Sequence, residues 1–439
     1  MDHSNGKKVI SVVGLGVVGL TTAVGFALKG HKVIGIDIDP VKVDKINEGI
    51  CPIYEQELSY ALQQVKLNAT ADHRQALNSD ITFLCGGTPP KPDGSIDLFF
   101  LEEPTKQLAT ALKEKDEDHL VVVRSTVVPG TTDQVVVPLL NHTDKIGICV
   151  NPEFLREGTA IEDFMKPNRV IIGEKETHWG DMLSEVYSDY KAPIMRTDFR
   201  TAEMIKQASN AYLATRISFI NEIGNICKNL GMDVYEVAEG MGYDYRIGKD
   251  YLKAGIGFGG FCLPKDLSAL ISSAKDTGYR AGMLEEIQRL NLKQPSRMIE
   301  LLKKHIPQLK GKTIGILGLA FKPGTDDVRK SKAMEIIQAL EAEGAHVVAY
   351  DPRAMSNFKR AFANSVQYSS AKTVLDADAT YRAALDAGGE SLEVPSERFW
   401  GDRMASVKDF AGNNWMIATH VEDVDSDELA RRARQAMAA

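Results

Sequence analysis

The ten residues Gly257-Phe258-Gly259-Gly260-Phe261-Cys262-Leu263-Pro264-Lys265-Asp266 set one cysteine among glycines and charges. Three glycines let the body of a ligand approach the backbone, and Lys265 and Asp266 place charge beside the thiol. A thiolate is the competent nucleophile, and a nearby cation favours it. A lone cysteine is more often a small buried apolar side chain; this setting points instead to covalent catalysis by Cys262. A second constellation is Gly14-Leu15-Gly16-Val17-Val18-Gly19, followed about 18 residues later by Asp37. Gly14 permits a tight turn, Gly16 lets the backbone approach a pyrophosphate, and Gly19 allows a helix to pack closely on a strand. Free N–H groups at the following helix N-terminus attract phosphates. Asp37 is placed to accept the adenosine ribose hydroxyls, and its charge repels a 2′-phosphate, so the expected cofactor is NAD rather than NADP.

These residues need elements to position them. Val9–Val13 is a buried-type apolar run, Val17 to Gly30 reads as a helix, and Val33–Ile36 is the next strand. Ile81–Leu84, Leu120–Val123 and Ile146–Val150 read as further parallel strands. Alternating strands and helices imply a doubly wound sheet covered on both faces. From Thr201 to about Leu230 no proline interrupts an apolar helical period, and Gly231 is a plausible stop. A helix of that length bridges domains or builds an oligomer seam. A second βαβ pattern begins at Lys312–Leu317, turns at Gly315, Gly318 and Ala320, runs a helix over Arg329–Gly344, and ends in the strand His346–Tyr350 before Asp351. The expected fold is therefore α/β: two Rossmann-like doubly wound domains joined by a long central helix, with an atypical α+β C-terminal tail.

Of the 439 residues 44% are hydrophobic and 26% charged, an ordinary globular composition. A net charge of −8 argues against nucleic acid or an anionic membrane as partner. No run of roughly 18 apolar residues occurs, and the N-terminus carries no apolar signal core, so neither a membrane span nor secretion is expected. Cys51, Cys85, Cys149, Cys227 and Cys262 are scattered without a Cys-x-x-Cys pair. That pattern fits a reducing cytoplasm and no metal site.

Over about residues 7–379 the sequence resembles the UDP-glucose/GDP-mannose dehydrogenase family. The glycine turn and the cysteine segment carry this resemblance together with Gly87-Thr88-Pro89-Pro90, Ser125-Thr126-Val127-Val128-Pro129-Gly130-Thr131 and Asn151-Pro152-Glu153-Phe154-Leu155-Arg156-Glu157-Gly158. Further motifs are Ala202-Glu203-Met204-Ile205-Lys206 with Asn210, Arg246-Ile247-Gly248, and Phe321-Lys322 followed by Thr325-Asp326-Asp327-Val328-Arg329-Lys330-Ser331. The resemblance implies removal of two hydrides from one carbon, with two NAD consumed. The aldehyde formed first adds to Cys262 as a thiohemiacetal; the second oxidation gives a thioester, which water hydrolyses. Lys206 and Asn210 are then implied to stabilise the oxyanion, and their spacing of four on a helix puts them on one face. Asp266 is implied in holding water or moving a proton, Glu153 as general base for hydrolysis, and Thr126 in orienting that water. Implied cofactor contacts are Val18, Asp37, Lys42, Thr88, Thr126, Glu157, Lys265 and Arg329. Implied sugar-nucleotide contacts are Phe154, Leu155, Arg156, Glu157, Lys206, Asn210, Arg246, the Tyr251–Gly255 loop, Gly259 and Lys322. In the family the residue at Arg246 reaches a neighbouring subunit, so a homodimer is the expected minimum. The expected domains are 1–198 for NAD, 199–300 as the helical dimerisation region, 301–379 as a shortened UDP-sugar domain, and 380–439 as the tail.

The Asn-Pro-Glu-Phe-Leu-Arg-Glu-Gly motif and Arg246-Ile247-Gly248 favour the UDP-glucose branch, with UDP-N-acetylhexosamines or GDP-mannose as alternatives. Phe261 stands where that branch usually has a small hydroxyl residue, and Leu263 where an aromatic often stacks. The resemblance ends near Asp376-Ala377-Asp378-Ala379. Beyond it, a helix at Thr380–Gly389 and strands within Phe399–Asp409 and Trp415–His420 resemble half of a glyoxalase/bleomycin-resistance module, without its metal ligands. A shortened second domain leaves two other readings open: a nucleotide-sugar or NAD-binding protein without activity, and a metal-chelate activity of the tail, which the missing ligands disfavour. A single-step hydroxyacid dehydrogenase needs a helix lysine but no cysteine, so Cys262 argues against it.

Overall fold

The computed structural model describes residues 7–140, 143–362, 366–368, 377–386, 388–398, 402–408, 414–420, 424, 428 and 431–432. The chain divides into two compact units. The first is Met1–Tyr212 with Lys265–Leu284, and the second is Leu213–Pro264 with Glu285–Ala439.

The first unit is built on strands β1 (Val9–Val13), β2 (Lys32–Ile36), β3 (Asn68–Thr70), β4 (Ile81–Leu84), β5 (His119–Val123), β6 (Ile146–Val150), β7 (Val170–Glu174) and β8 (Ile194–Thr197). They form one sheet in the order β3-β2-β1-β4-β5-β6-β7-β8. β4 and β5 are buried along their whole length, as their unbroken apolar runs require of strands covered on both faces. The order reverses between β1 and β4, which makes the carboxyl ends of those two strands the switch point where α/β sheets bind ligands. One departure from the expected parallel sheet is the antiparallel pairing of β6 with β7, which are joined through residues 151–169 and the helix Ala160–Met165.

The long helix spans Phe199–Leu230, two residues earlier than its periodicity suggested. Its 32 residues extend about 48 Å at 1.5 Å per residue. The cysteine-bearing helix, Cys262–Asp276, begins in the second unit and continues into the first. Pro264 falls in its first turn, where a missing N–H costs nothing.

In the second unit, β9 (Thr313–Leu317), β10 (His346–Tyr350) and β11 (Gln367–Tyr368) form a parallel sheet in the order β11-β10-β9. The start of this sheet repeats the first. Gly318 N donates to Tyr350 O at 2.9 Å, as Gly14 N donates to Ile36 O at 2.8 Å. Asp351 accepts from Leu319 N at 2.7 Å, as Asp37 accepts from Leu15 N at 2.6 Å. The helix after β9 is Lys332–Ala342, not Arg329–Gly344, because Asp327 and Ser331 organise a turn before it. Among the described strands β9 is an edge, and Leu317 is 46% exposed there. The tail folds as a helix (Ala377–Asp386) and an antiparallel sheet of β12 (Glu390–Glu397), β13 (Asp402–Lys408) and β14 (Asn414–His420). β12 is not evident in the sequence. It carries Pro395 and two register shifts, both tolerated on an edge strand.

No helix among the described residues is long and apolar enough to cross a membrane.

Candidate active site

The glycine turn follows β1 as expected. Gly14 takes φ +88°, and a Cβ on Gly19 would lie 1.8 Å from the Gly14 carbonyl oxygen, so the helix Val17–Leu28 can sit on the turn only without that atom. A Cβ on Gly16 meets nothing within 4 Å. Gly16 is also the N-cap and provides no side-chain cap, leaving the first helical N–H groups for an anion. Val18 extends its carbonyl to Thr22 Oγ1 at 2.7 Å. Asp37 is 6% exposed; it accepts from Leu15 N and from Asp39 N at 3.0 Å, and pairs with Lys42 Nζ at 2.8 Å. An open glycine backbone, an uncapped helix start and a buried acidic acceptor suit a dinucleotide carrying a free ribose 2′-hydroxyl.

Beside this turn the first unit buries a second set of charges. The long helix contributes Lys206 and Asn210, 5% and 8% exposed, one turn apart. Lys206 Nζ lies 3.0 Å from Glu153 Oε1, and Leu155 N donates to Glu153 Oε2 at 2.6 Å. Burial alone would favour the neutral Glu153 carboxyl, but the Lys206 ammonium, the Leu155 N–H and Arg124 outweigh it and hold its pKa below the ordinary range. Asn210 Nδ2 donates to Asp266 Oδ2 at 2.6 Å, and Lys265 Nζ donates to Asp266 Oδ1 at 2.5 Å and Thr88 Oγ1 at 3.2 Å. Thr88 in turn donates to the Thr126 carbonyl at 2.8 Å, so Thr126 is engaged through its backbone. The Phe154 ring lies 3.7 Å from the Arg169 guanidinium carbon and 5.4 Å from Lys206 Nζ. Arg156 turns to Asp163, its guanidinium 2.7 Å from Oδ1 and 59% exposed, while Glu157 is half-buried in the same loop.

Of the five cysteines, Cys262 is the exposed one, and it is the first residue of its helix. Burial pushes the Cys85 thiol up to about 12 and raises Cys149 as well, so neither competes as a nucleophile. Asp266 follows Cys262 by four residues on one helix, which puts both on the same side of its first turn. In the second unit the glycine loop docks on the turn after β9. A Cβ on Gly259 would lie 2.2 Å from the Lys330 carbonyl, and Gly260 N donates to Arg329 O at 2.9 Å. Asn291 pins the loop from the other side, accepting from Phe258 N at 2.8 Å and donating to its carbonyl at 2.9 Å. Phe261 lies 4.6 Å beneath the Arg329 guanidinium, which Asp327 also holds at 2.6 Å. Lys322 stands 5.6 Å from the Phe321 ring. Tyr251 takes φ +60°, and Gly255 is held by Asn221 at 2.7 Å and Gln294 at 2.8 Å. Arg246 is 74% exposed and pairs with Asp244 at 2.6 Å.

Residues without an assigned role support this arrangement. Arg124, 5% exposed at the end of β5, donates to Asn151 Oδ1 at 2.5 Å and to Thr22 Oγ1 at 2.9 Å, and Tyr187 donates to the same Asn151 oxygen at 2.6 Å. This network fixes Asn151, just past the end of β6 and two residues before Glu153. Glu203 and Gln207 share the helix face of Lys206 and Asn210. Polar residues repeating every three or four positions on a helix that must be partly buried were the available signal for them.

Three sequence signatures match the chain in order. They describe the NAD binding domain, the central domain and the UDP binding domain of the UDP-glucose/GDP-mannose dehydrogenase family, at residues 8–191, 200–293 and 315–384. The UDP-glucose 6-dehydrogenase AglM of Haloferax volcanii is 43% identical over 392 residues, covering 86% of this chain and 90% of the relative. The GDP-mannose 6-dehydrogenase of Pseudomonas aeruginosa is 40% identical over 355 residues, covering 78% and 80%. The solved UDP-glucose dehydrogenase of Pyrobaculum islandicum superposes with a TM-score of 0.81 at 40% identity, covering 84% of this chain and 88% of that one. With a dinucleotide turn, a helix-borne cysteine and all three signatures in one chain, the protein belongs to the UDP-glucose/GDP-mannose dehydrogenase family of NAD-dependent oxidoreductases.

Proposed function

We propose that this chain oxidises the 6-hydroxymethyl group of UDP-glucose to a carboxylate, with Cys262 as the covalent nucleophile. The observation that carries the reading is the exposed Cys262 at a helix start whose first turn delivers Asp266 to Asn210 at 2.6 Å. NAD, when bound, accepts the hydrides; Gly14, Gly16, Val18, Gly19, Asp37, Lys42, Thr88, Thr126, Glu157, Lys265 and Arg329 are proposed to hold it. Lys206 and Asn210 donate to the oxygen on which charge develops. The Cys262 sulfur adds to the aldehyde carbon, giving a tetrahedral carbon that still carries one hydrogen. Loss of that hydrogen as hydride leaves the thioester. Glu153 takes a proton from the water that attacks the thioester carbon, and the sulfur departs as thiolate. A pKa held below the ordinary range keeps Glu153 ionised and ready to accept, at some cost in basicity. Asp266 and Thr126 hold that water. Phe154, Leu155, Arg156, Glu157, Arg246, Tyr251, Gly255, Gly259 and Lys322, with Lys206 and Asn210, are assigned to the sugar nucleotide.

We assign the domains as residues 1–198, 199–300, 301–379 and 380–439, and place the enzyme in the cytoplasm as a homodimer. Exposed Tyr212, Phe219 and Ile226 recur every seven residues on the long helix, which suits a helix–helix seam, and the exposed Arg246 suits a role across it. GDP-mannose is the second reading, supported by the 40% identity to a GDP-mannose 6-dehydrogenase.

The test is NADH released per sugar across UDP- and GDP-sugars. Two NADH and a uronate from UDP-glucose are expected, and Cys262→Ser should abolish turnover or trap an intermediate. One NADH per sugar, unaffected by Cys262→Ser, overturns the mechanism.

A further inference from the structure

Side-chain hydrogen bonds close a ring in the first unit. Asn210 reaches Asp266, Lys265 joins Asp266 to Thr88, and Thr88 holds the Thr126 carbonyl. One peptide further, the Val127 carbonyl accepts from Gln207 Nε2 at 3.0 Å. Gln207 stands three residues before Asn210 on the long helix, so the ring returns to its start. One turn earlier, Glu203 accepts from Gly130 N at 2.6 Å, from Thr132 N at 2.9 Å and from the Thr132 hydroxyl at 2.6 Å. A single helix face therefore grips the segment after Thr126 while presenting Lys206 and Asn210.

Gln207 is unusual within this ring. It is 0% exposed, and its Oε1 is buried with no hydrogen-bond partner among the described residues. A buried carbonyl left unpaired destabilises the fold. Methionine has a similar length and no such group, so packing alone does not call for an amide here. What the amide supplies is one directed bond, from the helix to the backbone next to Thr126.

We infer that Gln207 is a positioning residue for the overall reaction, holding the Val127 carbonyl, and with it Thr126, in register with Lys206 and Asn210. The inference rests on the dehydrogenase reading above, in which Lys206 and Asn210 donate to the oxygen of the reacting group and Thr126 holds the water that attacks its carbon. Glu203 anchors the far end of the same segment, so Gln207 sets the end nearest the chemistry. Small displacements of a positioned group lower turnover more than binding.

The experiment compares the full chain with Gln207→Met and Gln207→Glu. For Gln207→Met the expected result is an unchanged or higher melting temperature, a kcat at least tenfold lower, and a KM for UDP-glucose within twofold. Amide exchange across residues 127–132 should be faster than in the parent. Gln207→Glu donates only when protonated, so its kcat deficit should shrink as pH falls. A folded Gln207→Met variant with kcat within twofold of the parent, or with unchanged exchange over 127–132, overturns the inference. If Gln207→Met does not fold, a Gln207→Glu deficit independent of pH overturns it equally. A parent enzyme that oxidises no UDP- or GDP-sugar defeats the functional reading instead, which separates the two failures.

Discussion

Replacing Lys206 by methionine should destabilise the first unit in a way that depends on pH with a definite sign. Lys206 and Glu153 form an ion pair at 3.0 Å with both side chains 6% exposed. Removing one partner of a buried pair costs about 3–5 kcal/mol, because the other charge is left without compensation. In a unit of this size each kcal/mol shifts the melting temperature by about 2–4 °C, so a fall of roughly 6–20 °C is expected at pH 7.5. The folded parent holds Glu153 below its ordinary pKa. Its contribution is therefore present above the unfolded carboxyl range and lost as pH falls through the folded value. Lys206→Met removes the strongest influence opposing burial, so the Glu153 pKa rises. The variant's carboxyl then protonates earlier on acidification, and the gap to the parent narrows between pH 7.5 and pH 5. Adding Glu153→Gln removes the stranded charge and should recover much of the loss. Calorimetric melting of the parent, both single variants and the double variant at the two pH values measures this. A gap that does not change with pH, or a double variant no more stable than Lys206→Met, would refute the reasoning.

Other outcomes follow from the same geometry. Gly16→Ala should leave melting unchanged while weakening NADH binding in a fluorescence titration, because its Cβ enters open space where the cofactor is proposed to lie. Gly19→Ala should lower both, because its Cβ would meet the Gly14 carbonyl at 1.8 Å; equal effects of the two changes on melting would argue against this division of roles. His119 is 0% exposed, with Nδ1 donating to the Ser79 carbonyl at 3.0 Å and Nε2 accepting from the Thr82 hydroxyl at 2.8 Å. Burial, aided by Lys115, pushes its pKa down to about 3, so it stays neutral when folded. Its folded value lies below the unfolded one. Stability is therefore full above about pH 6.5 and declines as pH falls towards 3, by about 2 kcal/mol at pH 5. His119→Gln should remove that share of the acid loss in urea titrations at pH 7.5 and 5; an identical loss in the variant counts against it.

The local features were legible in the sequence because their physics is local. The glycine spacing at 14, 16 and 19 with Asp37 describes one βαβ unit, and its turn, helix start and acidic acceptor form within it. Lys206 and Asn210 share a face because helix geometry puts residues four apart together. The cysteine segment suggested a nucleophile by composition; the structure adds that Cys262 is exposed and is the first residue of a helix. Even the second nucleotide-fold domain was readable from a strand, glycine turn and helix, although its helix begins at Lys332 because the turn organised by Asp327 comes first. β12 was missed because Pro395 and its bulges break the period of two that marks a strand.

What tertiary structure decided is which distant residues meet. Glu153 pairs with Lys206 across 53 residues, Asn210 with Asp266 across 56, and Lys265 with Thr88 across 177. The sheet order places β4 beside β1, so Thr88 and the glycine turn open on the same switch point. The charge state of Glu153 follows from burial against Lys206 and Arg124, neither of which is near it in the chain. A sequence lists the groups that could react. Their pKa values and mutual distances are set by burial and long-range packing, and these exist only once the chain has folded.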